Sequence, residues 1–254
     1  MKKTFPAIIA AIIITAITSC QSATQAKTQA ADTTTANAAT VTPAPLEEKV
    51  LTAEEQKALT PDSVIQILKD GNKRFINNNF TSRDNPALVK DAAKGQYPMA
   101  VILSCIDSRV PVEDVFDRGI GDIFVARVAG NFVNEDILGS MEYSCKVSGA
   151  KLIVVMGHQS CGAIKATIDN VKLGNITAML TKIKPAVVVS QDFKGDKTSK
   201  NHDFVDYVGK NNVKNTIETI KAKSPTLKEM ADKGEIKIVG AYYNLTTGEV
   251  TFLE

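Results

Sequence analysis

Four short, nearly unbroken apolar runs separated by helical stretches constrain the fold of this chain more than any other feature. The runs are Met99-Ala100-Val101-Ile102-Leu103, Ile123-Phe124-Val125-Ala126, Lys151-Leu152-Ile153-Val154-Val155-Met156 and Ile236-Lys237-Ile238-Val239-Gly240-Ala241, the last two each carrying one lysine. A strand with one wet face alternates apolar and polar residues. A run that is apolar at nearly every position suits a strand covered on both faces, as in a parallel sheet. Between the runs lie stretches that predict helices at about 134–147, 161–172, 204–222 and 224–233. The last opens at Ser224-Pro225 and closes at Gly234, which are helix start and stop signals. Strand and helix in alternation imply an α/β domain whose ligands bind beyond the carboxyl ends of the strands.

The ordered part begins near residue 50. Thr52-Ala53-Glu54-Glu55 fits a capping box, and Thr60-Pro61 fits a second helix start. Val64, Ile67, Leu68 and Phe75 follow at near-helical spacing, with Gly71 as the weak point. Residues 49–254 are therefore read as one domain. Residues 20–48, rich in Ala, Thr, Gln and Ser and including Thr42-Pro43-Ala44-Pro45, cannot bury a core and read as a tether.

Residues 1–19 read as a signal peptide. Lys2 and Lys3 precede an Ala/Ile-rich segment from Ala7 to Ala16, shorter than the ~20 apolar residues a bilayer crossing needs. Ile17-Thr18-Ser19-Cys20 resembles a bacterial lipobox, which implies cleavage before Cys20 and lipid attachment to it. The expected product is an exported, membrane-anchored protein facing the periplasm or the cell exterior. Removing residues 1–19, whose charged residues are Lys2 and Lys3, takes the formal net charge from +2 to 0. With no long cationic run left, nucleic acid is not an expected partner, and the lipid must supply the membrane affinity. Once Cys20 is assigned to lipid, Cys105, Cys145 and Cys161 remain, an odd set that does not make a dense disulfide framework.

The chemistry lies where two of the apolar runs end. The first runs into Ser104-Cys105-Ile106-Asp107-Ser108-Arg109; if the chain stays extended, 105, 107 and 109 point the same way. The third runs into Gly157-His158-Gln159-Ser160-Cys161-Gly162, where a helix start would set His158 and Cys161 on one face. Two thiolates and an imidazole form a Cys₂His zinc set with a fourth position open. By themselves the residues leave a second reading open, in which the cysteines are small packed side chains and the histidine is structural. Cys145 reads as such a packed residue, and His202 as a surface residue at a helix start.

Cys105-x-Asp107-x-Arg109 followed by His158-x-x-Cys161-Gly162 resembles the signature of the β-class carbonic anhydrases. The similarity continues through Gly71-Asn72-x-Arg74-Phe75, Gly121-Asp122-x-Phe124-Val125-x-Arg127, Ala129-Gly130-Asn131, Gly240-x-x-Tyr243 and Thr247-Gly248, covering about residues 60–254. It implies a central, mostly parallel sheet flanked by helices, with N-terminal helices packed on a dimer partner and a homodimer or tetramer as the assembly. It also implies reversible hydration of carbon dioxide to bicarbonate and a proton by zinc-bound hydroxide.

On this resemblance Cys105, His158 and Cys161 are the zinc ligands and Asp107 and Arg109 the catalytic pair. Two states of Asp107 follow from the resemblance: it can be a fourth ligand that closes the site, as in some members, or it can stay on Arg109 throughout. Gln96 matches a glutamine that donates into the partner's site. Val110, Arg127 and Tyr243 fall where some members hold a non-catalytic bicarbonate, although Ile102 replaces a tryptophan found there in regulated members. Two other functions stand beside this one: a carbonyl sulfide or carbon disulfide hydrolase sharing the ligands, and a lipid-anchored zinc protein without catalysis.

Overall fold

The computed structural model describes residues 46–253, so the expected signal peptide, Cys20 and residues 20–45 of the expected tether lie outside the described residues. Residues 46–48, at the end of the expected tether, pair with the chain at Ser82: Glu48 N donates to Ser82 O, and Ser82 N to Leu46 O.

Two capped helices lead. In α1 (Ala53–Ala58) Thr52 and Glu55 close the expected capping box, and in α2 (Pro61–Ile76) Thr60 does the same with Ser63. Gly71 does not break α2. A Cβ there would run into the backbone carbonyl of Phe116, so glycine lets the helix lie directly on that loop. Asn72 completes the join, donating to Val115 O and Gly248 O while accepting from Val250 N.

Next come α3 (Asn85–Ala92), β1 (Ala100–Ser104), α4 (Val112–Val115), β2 (Ile123–Arg127) and α5 (Glu135–Glu142). The helix expected over 134–147 widens after α5 into a π-helical turn, Tyr143–Val147, that buries Cys145. Then follow β3 (Leu152–His158), α6 (Gly162–Ile168), α7 (Gly174–Leu180), α8 (Lys184–Val189), α9 (His202–Lys223), α10 (Pro225–Asp232), β4 (Lys237–Tyr243) and β5 (Val250–Leu253).

The sheet order is β2-β1-β3-β4-β5, parallel throughout except for the antiparallel edge pair β4–β5. Both faces are covered, which explains the nearly unbroken apolar runs. Ala100, Ile102, Leu152, Val154 and Met156 pack with Val64 and Leu68 of α2 and with Val112, Val115 and Phe116. Val101, Leu103, Ile153 and Val155 pack on the opposite face with Met141, Val213, Ile220 and Leu227. The buried face of α2 is thus covered within its own chain, and Ile76, Phe80 and Val89 are the apolar residues left exposed nearby.

Away from the strand ends, Asp117 is fully buried and left-handed (φ 47°). It accepts from Arg74 Nε, Arg83 Nη2, and the backbone and hydroxyl of Thr81. Burial would raise its pKa, but the bonds from Thr81, Arg74 and Arg83 together hold the carboxyl below its usual range.

Candidate metal centre

β1 and β3 are neighbours, yet the chain leaves β1 for β2 on one side and β3 reaches β4 on the other. The loops diverge and open a crevice between the two carboxyl ends, the topological switch point where open α/β sheets bind ligands. The candidate residues converge there.

Cys105 directly follows β1, but the chain does not stay extended. Asp107 caps a tight turn: its Oδ1 accepts from Arg109 N at 3.0 Å and Arg109 Nε at 2.9 Å, while Oδ2 accepts from Arg109 Nη2 at 2.7 Å. This turn, rather than strand alternation, joins the two side chains. Arg127, the last residue of β2, braces it by donating Nε to Cys105 O (2.9 Å) and Nη2 to Asp107 O (2.7 Å). The sequence marked Arg127 only through the resemblance; its clamp on two carbonyls has no sequence signal.

His158 and Cys161 do not share a helical face either. His158 is the last residue of β3 and Cys161 the N-cap of α6, and between them Ser160 takes a left-handed conformation (φ 52°) that turns the chain back. The outcome is nevertheless convergence. The ligand atoms of Cys105, His158 and Cys161 lie within 4.8 Å of one another, and all three residues are buried. Gly130 N donates to Cys105 Sγ at 3.3 Å. Gly130 is left-handed (φ 81°), and a Cβ there would strike Ile183, so this donor depends on glycine.

The electrostatics fit a cation. His158 Nδ1 lies 2.8 Å from Gln159 O, and since a carbonyl only accepts, Nδ1 carries the proton. In the neutral ring that leaves a lone pair on Nε2, which is buried without a hydrogen-bond partner among the described residues. A buried polar atom in that state is costly unless something binds it. The thiols stand 4.0 Å apart. The hydrogen bond from Cys161, with that from the Gly130 N–H, outweighs burial and lowers the Cys105 pKa to about 4; Cys161, beside that charge and buried, is pushed up. A divalent cation held by both sulfurs would draw their protons off. Arg109 keeps the Asp107 carboxyl far below the usual range, ionised at any working pH. Asp107 Oδ2 is 3.8 Å from His158 Nε2. Both its oxygens are engaged by Arg109.

Of the remaining residues, Val110 and Tyr243 are buried, and Ile102 is buried in the sheet. Gln96 is exposed in the loop before β1, at the opposite end of that strand from Cys105. Within one chain it does not join the site.

A family model described as "Carbonic anhydrase" matches residues 100–250, from the start of β1 to the start of β5. The chain belongs to the carbonic anhydrase family. Carbonic anhydrase 2 of Mycobacterium tuberculosis is 34% identical over 197 residues, spanning 74% of this chain and 90% of that protein. The fold is that of the β class. The solved β-carbonic anhydrase CcaA superposes with a TM-score of 0.60 at 24% identity, over 75% of this chain and 95% of its own. A pair of tetrameric β-carbonic anhydrases from Sordaria macrospora gives the same TM-score at 21% identity, over 75% and 97%. A Cys₂His set at the switch point is the zinc site such a fold calls for.

Proposed function

We propose that this carbonic anhydrase hydrates carbon dioxide reversibly to bicarbonate and a proton, with Cys105, His158 and Cys161 holding zinc and Asp107 directing the attacking water. The observation that carries this reading is the buried, unpartnered Nε2 of His158 between two thiols, with an ionised carboxylate 3.8 Å away. Zinc held there would supply Lewis acidity, lowering the pKa of a water it binds from about 15.7 toward roughly 7. Asp107, kept charged by Arg109, acts only as an acceptor: it takes the hydrogen bond of the nucleophile and aims its lone pair at the carbon. Arg109 holds both carboxylate oxygens, and Arg127 fixes the turn they stand on. In this arrangement both Asp107 oxygens accept from Arg109, so Cys105, His158 and Cys161 would be the residues that hold zinc. A zinc protein without catalysis would have no use for the Asp107–Arg109 pair.

The test is stopped-flow carbon dioxide hydration by Asp107→Asn. The amide keeps the shape but donates where the carboxylate accepts, so kcat should fall by roughly 10²–10⁴-fold, as for loss of a positioned acid–base group. Zinc content should hold at the parent level. Parent-like kcat would remove Asp107 from the mechanism, and faster turnover of carbonyl sulfide than of carbon dioxide would reassign the substrate.

Two further parts belong to this reading. The first is a homodimer or larger assembly in which Gln96 donates into the neighbouring site. It is supported by the exposed position of Gln96 and by Ile106, 61% exposed beside the ligand Cys105. Light scattering should find at least a dimer; a fully active monomer would exclude it. The second is export with lipid on Cys20, supported by the apolar segment ending in Ile17-Thr18-Ser19-Cys20. Intact mass of membrane-fraction protein should show an acylated Cys20 at the N-terminus, and a soluble product with a free Cys20 thiol would refute it.

A further inference from the structure

The turn that carries Cys161 to the metal centre is held from outside by one helix. His158, Gln159, Ser160 and Cys161 bring the chain from β3 into α6, and the reversal depends on left-handed Ser160. A non-glycine residue persists in that conformation where its surroundings over-determine it. Gln159 N is pinned to Tyr243 O at 3.0 Å. Ser160 N instead donates to a side chain, Oδ1 of Asp206 on α9, at 3.2 Å. The same oxygen accepts from the hydroxyl of Tyr242 on β4, also at 3.2 Å, so Asp206 is itself located by the sheet. One turn earlier on α9, His202 Nδ1 lies 3.3 Å from Ser160 Oγ.

The other cysteine is served by the same helix. Asn212 Nδ2 donates to Gly130 O at 2.8 Å, and Gly130 N is the donor to Cys105 Sγ. The buried face of α9 is seated on the sheet through Val213 and Ile220, and Val208 packs in the cluster that holds Cys105 and Cys161. Asp206 and Asn212 therefore project from a fixed platform toward the two cysteine loops, and partners that orient metal ligands tune affinity as the ligands themselves do.

We infer that Asp206 is a positioning residue for the metal centre, setting the place of Cys161 through the peptide of Ser160. It acts by where its oxygen stands, not by its charge. This rests on the assignment of zinc to Cys105, His158 and Cys161, and it adds a residue to which neither the ligand motif nor the catalytic pair points.

Position and charge separate cleanly in two variants. Asp206→Asn removes the charge and keeps an Oδ1 that accepts both hydrogen bonds. Asp206→Glu keeps the charge and moves the oxygens by one methylene. Zinc-loaded parent and variants are diluted into excess chelator, and the rate of zinc release is followed. The thiolate-to-metal absorption of cobalt-substituted protein is recorded alongside. Asp206→Asn should release zinc at close to the parent rate with an unchanged cobalt spectrum. Asp206→Glu and Asp206→Ala should release it about 10–100-fold faster, with shifted bands. Ser224→Ala, which loses the cap of α10 away from the site, should lower thermal stability without changing the release rate.

Parent-like release from Asp206→Glu, or an Asp206→Asn as fast as Asp206→Ala, would overturn the inference. Acceleration of release by Ser224→Ala would also overturn it, since general loosening would then account for the effect. If Asp206→Ala does not fold, the asparagine and glutamate variants still decide. A parent that binds no zinc would instead sink the metal assignment, a failure distinct from zinc-loaded variants that all behave alike.

Discussion

Cys161→Ser protein is expected to emerge from purification folded but without zinc, and inactive. Serine's hydroxyl stays protonated where a thiol would ionise, so the site loses one of its two anionic donors. Changes to groups that only orient a ligand cost roughly 10–100-fold in metal affinity, and removal of a ligand must exceed that. The fold should survive, because Cys161 is small and sits among Ile164, Leu180, Ile183 and Phe204, which hold that region together. A buried hydroxyl without a partner costs about 1–3 kcal/mol, tolerable for a domain of this size. Elemental analysis after dialysis decides the matter, and one zinc per chain at parent affinity would strike Cys161 from the ligand set.

A loss of comparable size, in stability rather than activity, is expected from Asp117→Ala. The substitution strips the shared partner from Arg74, Arg83 and Thr81 and leaves two guanidinium groups facing a void. Removing one member of a buried ion pair typically costs about 3–5 kcal/mol. Against total stabilities of about 5–15 kcal/mol, that removes from about a fifth to all of the margin. Denaturant unfolding should show the midpoint falling, while the protein that remains folded keeps its zinc and its kcat. A midpoint displaced by less than the equivalent of about 1 kcal/mol would mean that water replaces the carboxylate.

The parallel strands were legible because burial on both faces writes itself as continuous apolar sequence. The runs at 99–103, 123–126, 151–156 and 236–241 became β1, β2, β3 and β4, shifted by a residue or two. β5 was not legible: Val250–Leu253 is short, and its existence depends on the edge of β4 and on the contact between Asn72 and Val250. The short helices α3, α4, α7 and α8 were missed for a similar reason, since one or two turns carry too little periodicity to register. Long α9 and capped α10 were read almost to the residue.

At the site, residue identity was readable and geometry was not. Chemistry offered Cys105, His158 and Cys161 as a zinc set beside a reading as packed side chains, and the family resemblance favoured the first. The means of convergence came out differently from the expectation: an aspartate-capped turn in place of an extended strand, and left-handed Ser160 in place of a helical face. Both turns are fixed by partners distant in the chain, Arg127 for the first and Asp206 for the second. Those partners are surface-type polar residues with no local pattern to reveal them.

The placement of the ligands also has a consequence for how the protein matures. Cys105 and Cys161 are 56 residues apart, and they meet only because β1 and β3 lie side by side. Parallel neighbours need a crossover between them, here one that contains β2 and α5, so their pairing closes a long loop and comes late in folding. No local fragment of the nascent chain presents the complete donor set, and the metal cannot serve as the seed around which the chain collapses. The polypeptide must assemble its sheet first and acquire the ion afterwards, in whichever compartment it folds. If the proposed export holds and folding follows it, that compartment is the far side of the membrane, and the zinc supply that matters is the one found there.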